Sequence, residues 1–332
     1  MKNKIILFLG IIFTLIIVSC QPSKTFLVVS YNVENLFDTI QSSGLDVDFT
    51  PQGKKQYDTE KYNNKLLNLS KVIASIDSKQ LPDIVGLIEV ENRAVVEDLA
   101  NQELLIKNKY RVSHFDGPDP RGIDVAMLYS NRFKLLEERP LPVYTDTLKR
   151  YRTRDILYVK GILAKDTLHV FVSHWKSRLG GAKKTERTRI IAAETLRYYV
   201  DSLLVRNSKS QLIIMGDFND TPGDTAVYHV LGAKTLNTDA ELINIMYPLY
   251  EENKGTYSYG GEFSMLDNIV ISQSLVNKKR GLRTDGKGFI FSPEWICYET
   301  KKGELAPSRT YSGEKYYNGY SDHFPIYFYL KK

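Results

Sequence analysis

Ile213-Ile214-Met215-Gly216-Asp217-Phe218-Asn219-Asp220 decides how the rest of this 332-residue chain is read. A short apolar run of this kind reads as a buried strand. It ends in a glycine, a carboxylate, an aromatic ring, a carboxamide and a second carboxylate. Placing Asp and Asn two residues apart at the end of a buried strand is costly unless something pairs with them. Such a pair suits a site that holds a hard cation or an oxyanion.

The same grammar recurs along the chain. Phe26–Tyr31 reads as a buried strand ending in Asn32-Val33-Glu34-Asn35, and Ile84–Ile88 as a second, ending in Glu89-Val90-Glu91-Asn92. A strand at 168–174 closes on His174-Trp175-Lys176-Ser177-Arg178. Leu266-Asp267-Asn268 opens the strand 267–272, and Ser321-Asp322-His323 precedes an apolar strand at 324–330. Each has an ordinary reading alone. Asn or Asp at a strand end is commonly a turn former, Glu89 could cap a helix, and His174 could be a core histidine. Six such ends in one chain point to a shared site.

Further strands are expected at 110–114, 123–129, 133–138 and 156–163. Helical spacing places one amphipathic helix at 61–78, through Leu66, Leu67, Val72, Ile73 and Ile76, and a longer one at 185–205. Residues 41–60 read as a polar loop. Many strands and few helices favour two packed sheets flanked by helices over an alternating parallel fold.

These motifs, in this order, resemble the endonuclease/exonuclease/phosphatase superfamily. The matching segments are Tyr-Asn-Val-Glu-Asn (31–35), Ile-Glu-Val-Glu-Asn (88–92), Ser-His-Trp-Lys-Ser-Arg (173–178), Gly-Asp-Phe-Asn (216–219), Leu-Asp-Asn-Ile (266–269) and Ser-Asp-His-Phe-Pro (321–325). The resemblance implies an α/β fold, a four-layered α/β sandwich with two central mixed β-sheets, and divalent-metal-dependent phosphoester hydrolysis. Mg²⁺ is the expected ion, with Mn²⁺ or Ca²⁺ as substitutes; it takes oxygen ligands and keeps several waters, so few protein ligands suffice. Carried over residue by residue, the resemblance makes Glu89 a metal ligand with Asn32 beside it and Asp322 opposite. His323 becomes the general base, oriented by Asp267. Asp217 and Asn219 bind the attacking water or a phosphate oxygen, and His174 contacts the phosphate or the leaving oxygen. Asp124, an acid in the apolar run Ile123–Met127, is read as the carboxylate partner of His174. Arg178 and Arg154 are read as phosphate-binding, since guanidinium suits bidentate phosphate contact.

Outward from the site, the N-terminus reads as an address. Lys2 and Lys4 precede an apolar run from Ile5 to Val18, shorter than the roughly 20 residues a membrane span needs, and Ser19-Cys20 follows. This pattern looks like a bacterial lipoprotein signal: residues 1–19 as leader, Cys20 as the lipid-bearing residue, 20–25 as tether and 26–332 as the catalytic domain. Gln21 points to the outer membrane. The other cysteine is Cys297, so lipidation of Cys20 leaves no intramolecular disulfide. The formal charge of +6 falls to +4 once Lys2 and Lys4 leave with the leader. That balance is compatible with an anionic substrate but does not by itself argue for nucleic acid. A monomer is expected. Three functions stay open: a nuclease or phosphodiesterase acting on nucleic acid, a phosphatase or phospholipase-C-like hydrolase of a small or lipid phosphoester, and a catalytically silent binding protein.

Overall fold

The computed structural model of the chain describes residues 24–42, 46–276 and 278–332. The expected leader and Cys20 lie outside the described residues.

Alternation builds the layers. In the strand Thr25–Leu36, Phe26 and Val28 point to one face and Leu27 and Val29 to the other, and all four are buried. A strand covered on both faces has to sit inside a stack. Gln211–Asp217 repeats the pattern, with Ile213 and Met215 on one face and Leu212 and Ile214 on the other.

The first sheet runs Phe289–Ile290, Ile326–Lys331, Thr25–Leu36, Ile84–Val90, Asp124–Tyr129, Arg111–His114. The second runs Phe133–Tyr144, Arg152–Leu163, Asp166–His174, Gln211–Asp217, Asp267–Ser272, Leu242–Asn244, Ala233–Lys234. Both are mixed. Each has a parallel pair near its centre, Thr25–Leu36 with Ile84–Val90 and Asp166–His174 with Gln211–Asp217, flanked by antiparallel neighbours. Val28, Ile84, Met127 and Phe328 of the first sheet meet Val170, Ile213, Met215 and Ile269 of the second in one core. Burial of each such side chain contributes roughly 1.5–3 kcal/mol.

Helices cover the outer faces. Leu66, Leu69 and Val72 of Thr59–Ser75, with Val95 and Leu99 of Arg93–Ala100, pack on Leu27, Val29, Val85 and Leu87. Ala193, Leu196 and Val200 of Ala182–Arg206 pack on Phe171, Leu212 and Ile214. The result is the four-layered α/β sandwich with two central mixed sheets.

Boundaries differ from the sequence reading where caps set them. The first helix starts at Thr59 because the Asp58 carboxylate accepts from the Lys61 N–H at 2.9 Å. The stretch read as a loop at 41–60 contains a short 3₁₀ turn, Val47–Phe49. Arg93–Ala100 was not expected as a helix. Its signal is Asn92, whose side chain accepts from the Val95 N–H at 3.0 Å and caps it.

One glycine fixes how the second sheet ends. Gly216 has φ +145°, and a Cβ there would stand 1.9 Å from the Ser173 carbonyl oxygen on the parallel neighbour. We expect Gly216→Ala to destabilise the protein by about 3 kcal/mol or more, read as a fall in the urea midpoint. A midpoint equal to that of the parent would show that the two strands can separate there without cost.

Candidate active site

Topology gathers the six motifs at one edge. In a parallel pair both strands end on the same side, so Asn32 and Glu89 close the first pair and His174 and Asp217 the second, the last two as register partners. Antiparallel neighbours start where these end. Asp267 pairs with Asp217, and the Ser321–Pro325 segment leads into Ile326, which pairs with Ser30.

The backbone is bent to aim these residues. Glu34, Asn35, Glu89 and Asn219 all adopt left-handed conformations, with φ of +52°, +53°, +67° and +50°. For the two glutamates this costs roughly 1–2 kcal/mol each, and such strain concentrates at working sites. The ladder also loses register between Ile88 and Val90, which turns Glu89 out of the pleat. The Asn35 N–H then donates to Glu89 Oε2 at 3.1 Å.

Glu89, His174, Asp217, Asn219, Asp322 and His323 line one cleft of about 510 Å³. Within it, His323 Nδ1 lies 2.7 Å from Asp267 Oδ2, which also accepts from the Thr256 hydroxyl. His323 Nε2 faces Asp217 Oδ2 at 3.8 Å. His174 Nε2 stands 3.7 Å from Asp217 Oδ2 and 3.8 Å from Glu89 Oε1. Asp217 accepts the Asn219 N–H on Oδ1 at 2.8 Å and the Asn32 amide on Oδ2 at 3.1 Å. Ser321, to which the sequence assigned no role, donates to the Asn32 carbonyl at 2.6 Å and accepts the His323 N–H at 3.1 Å. It ties the last motif to the first.

The two histidines are driven in opposite directions. Burial alone would depress His323, but Asp267 foremost, with Asp217 and Asp322, raises it well above the ordinary histidine value. His174 is pushed well below that value by burial, and the charges of Arg154, Arg121 and His323 add to the fall. It is therefore neutral, a hydrogen-bond donor rather than a reservoir of protons. Asp217 is raised to about 7, by burial foremost and by the charges of Asp267 and Glu89, against the opposing pull of His323. Glu89, Asp217 and Asp322 thus turn three carboxylates on one cleft. That oxygen-rich, mutually repelling set fits a hard divalent cation.

Several expected residues take other places. Asn32, buried behind the cleft wall, donates its side-chain NH2 to Asp217, and its side-chain Oδ1 accepts the Glu34 N–H at 3.1 Å. It acts here as a brace between the sheets. Asp124 does not partner His174: its carboxylate stands 3.7 Å from His114 Nε2 and accepts the Gly117 N–H, because its strand lies beyond that of Glu89 in the first sheet. Arg154 is buried, with Nε on Asp119 at 2.6 Å and Nη1 on the Trp175 carbonyl at 2.8 Å, so its guanidinium is engaged before any phosphate arrives. Arg178 lines the cleft but bonds the Asn219 carbonyl and the carboxylates of Asp220 and Asp224. Arg121, three residues before Asp124 and given no role by the sequence, reaches the cleft, with Nη2 3.9 Å from Glu89 Oε1. Arg189, from the long helix, is buried against Asp220 at 2.6 Å.

A model of the Endonuclease/Exonuclease/phosphatase family matches residues 27–332. A search of curated proteins finds no match. Among solved structures, the chain is similar to D. rerio TDP2 complexed with single-strand DNA product: 16% identity over 93% of this chain and 99% of that one, with a TM-score of 0.55. The human nocturnin catalytic domain with bound sulfate shows 19% identity over 93% and 97%, with a TM-score of 0.55. A Bacteroides thetaiotaomicron mannosyl-6-phosphatase shows 16% identity over 92% and 99%, with a TM-score of 0.53. At these identities the likeness is one of fold.

The Arg189–Asp220 pair tests how the opening motif is held. Arg189 also donates to the Thr185 hydroxyl and to the carbonyls of Ala182 and Lys176, so it ties the loop at 176–181 and the first turn of its own helix to the motif's end. Asp220→Ala should cost about 3–5 kcal/mol by leaving Arg189 buried without its carboxylate. Chemical denaturation measures this, and a loss under about 1 kcal/mol would mean the pair behaves as a solvated one.

Proposed function

The chain belongs to the endonuclease/exonuclease/phosphatase family, and from that premise we propose that it is a divalent-metal-dependent phosphodiesterase acting on nucleic acid. The observation that carries the reading is the His323–Asp267 pair, facing Asp217 across the same cleft as Glu89 and Asp322. Glu89 and Asp322 would hold the ion, with Mg²⁺ the proposed species. When bound, such an ion neutralises phosphate charge and acidifies water.

The chain's own residues supply the rest. Asp267 accepts a hydrogen bond from His323 Nδ1–H and so leaves Nε2 as the atom that takes a proton from the attacking water. Asp217, fixed by Asn32 and the Asn219 N–H, orients that water. Neutral His174 donates to a phosphate oxygen without adding a charge that must be lost later. Arg121 lies open on the cleft wall for the phosphate, a contact the engaged guanidiniums of Arg154 and Arg178 are less free to make. Tyr257 and the exposed Tyr259 offer rings on which bases can stack.

A second reading rests on size. A cleft of about 510 Å³ is in the range of small-molecule sites, so a sugar phosphate or similar monoester is the alternative substrate. Purified protein with Mg²⁺ should cleave single-stranded DNA or RNA and lose that activity with chelator. Turnover of phosphomonoesters alone would establish the second reading, and no hydrolysis with Mg²⁺, Mn²⁺ or Ca²⁺ would leave a binding protein.

His323→Ala should lower kcat about 10²–10⁴-fold. The base works only when neutral, so activity falls as pH drops through the His323 pKa. Asp267 is the main group raising that pKa. Asp267→Asn should therefore move the acidic limb of the kcat/KM profile to lower pH while reducing its plateau; a limb that stays in place would assign the titration to another group.

We also propose that the chain is exported and held in the bacterial outer membrane by lipid on Cys20. Cys20→Ala should release the protein from the membrane fraction of the expressing cell, and continued membrane association would refute the anchor.

A further inference from the structure

The strand Arg111–His114 forms the free edge of the first sheet, and the chain returns beside it as Asp124–Tyr129 after a loop over 115–123. His114, Asp116 and Asp124 meet where that loop begins and ends, with one ligand atom from each within 4.8 Å of the others. His114 Nε2 is 3.7 Å from Asp124 Oδ2, and Nδ1 is 3.9 Å from Asp116 Oδ1. Both gaps are too long for hydrogen bonds.

The second observation is the imidazole itself. The His114 side chain is 2% exposed, and Nε2 has no hydrogen-bond partner among the described residues. Buried polar atoms are rarely left in that state, and each instance calls for a cause such as an ion. Two donors about 2.0–2.1 Å from a tetrahedral ion stand roughly 3.4 Å apart, so a slight closure of the 3.7 Å gap would seat one. Arg93, from the neighbouring helix, is turned to the carbonyls of Val112 and His114 rather than to these acids.

We propose that His114, Asp116 and Asp124 form a second metal site, separate from the cleft, that takes a zinc-class divalent ion. One imidazole nitrogen with two carboxylate oxygens is a zinc-type donor set with an open fourth position, whereas Mg²⁺ and Ca²⁺ prefer oxygen alone. Asp124 and His114 supply the buried ligands, and Asp116, with a side chain 89% exposed, closes the site from solvent.

The loop this ion would fasten carries two residues that act on the cleft. Asp119 holds Arg154 at 2.6 Å, and Arg121 stands 3.9 Å from Glu89. The Gly117 N–H already donates to Asp124 Oδ2 at 3.1 Å, so the loop's first turn is tied to the same carboxylate. An ion at its base fixes the stem from which Arg121 reaches the cleft.

The test uses the full chain, stripped of metal and then saturated with Mg²⁺ so that the cleft is occupied. Zinc is titrated against a chromophoric chelator. One zinc per chain is expected, retained in Glu89→Gln, weakened at least about tenfold in Asp116→Ala and lost in His114→Gln. Asp116 is exposed, so its variant reports binding even if His114→Gln misfolds. Crystals grown with zinc should show an anomalous peak beside His114 at the zinc edge. Absence of uptake, unchanged affinity in Asp116→Ala, loss of the zinc in Glu89→Gln, or a peak only between Glu89 and Asp322 would each overturn the proposal. None of these outcomes depends on whether the cleft hydrolyses phosphoesters.

Discussion

The carboxylate of Asp217 is where the two sheets are joined at their working edge. Its strand is locked between a parallel partner at His174 and an antiparallel one at Asp267. Its two oxygens take an N–H from its own loop and an amide from Asn32 in the opposite sheet. A slip of one residue in either ladder would turn Asp217 to the other face of its sheet and break the bond to Asn32. Gly216, pressed on the Ser173 carbonyl, leaves the strand no room to slide. Both histidines take their positions relative to this one group, at 3.7 and 3.8 Å.

Much of this edge was legible before the fold was known, for a physical reason. Continuous apolar runs such as Ile213–Met215 need cover on both faces, so they announce a layered stack. Polar groups at their ends can be tolerated only where the sheet opens. What the sequence could not supply was pairing across space. Family likeness pairs Asp124 with His174, yet sheet order sets it beside His114. Arg154 reads as a phosphate contact, but it is buried with a carboxylate from a distant segment, as is Arg189. Lys65 shows the same limit within a helix. It sits on the packed side and is satisfied by the Thr310 hydroxyl and the Tyr320 carbonyl, which no periodicity could name. The helix at Arg93–Ala100 is different, since Asn92 is itself a capping signal in the sequence.

The two histidines show how one side chain is given two chemistries. Both are buried at the same cleft, so desolvation lowers the pKa of each. What separates them is the charge each one faces at close range. His323 has a carboxylate at 2.7 Å on Nδ1, and that contact outweighs burial. The Nδ1 of His174 has no hydrogen-bond partner among the described residues, and its Nε2 meets carboxylates only at 3.7 and 3.8 Å, too far to offset burial and two nearby guanidiniums. Opposed shifts in neighbouring groups of one type are the usual mark of divided acid and base roles.

Arg154 gains its meaning from that division. Its guanidinium is engaged by Asp119 and the Trp175 carbonyl, yet after burial its charge is the largest electrostatic cause of the neutrality of His174. A buried arginine is costly without a partner, and here the partner comes from the same loop that carries Arg121 to Glu89. The 115–123 loop therefore sets the protonation of one histidine from behind the cleft and places a second, half-exposed guanidinium, that of Arg121, in front of it. A change in that loop would reach the site through charge before it reached it through shape.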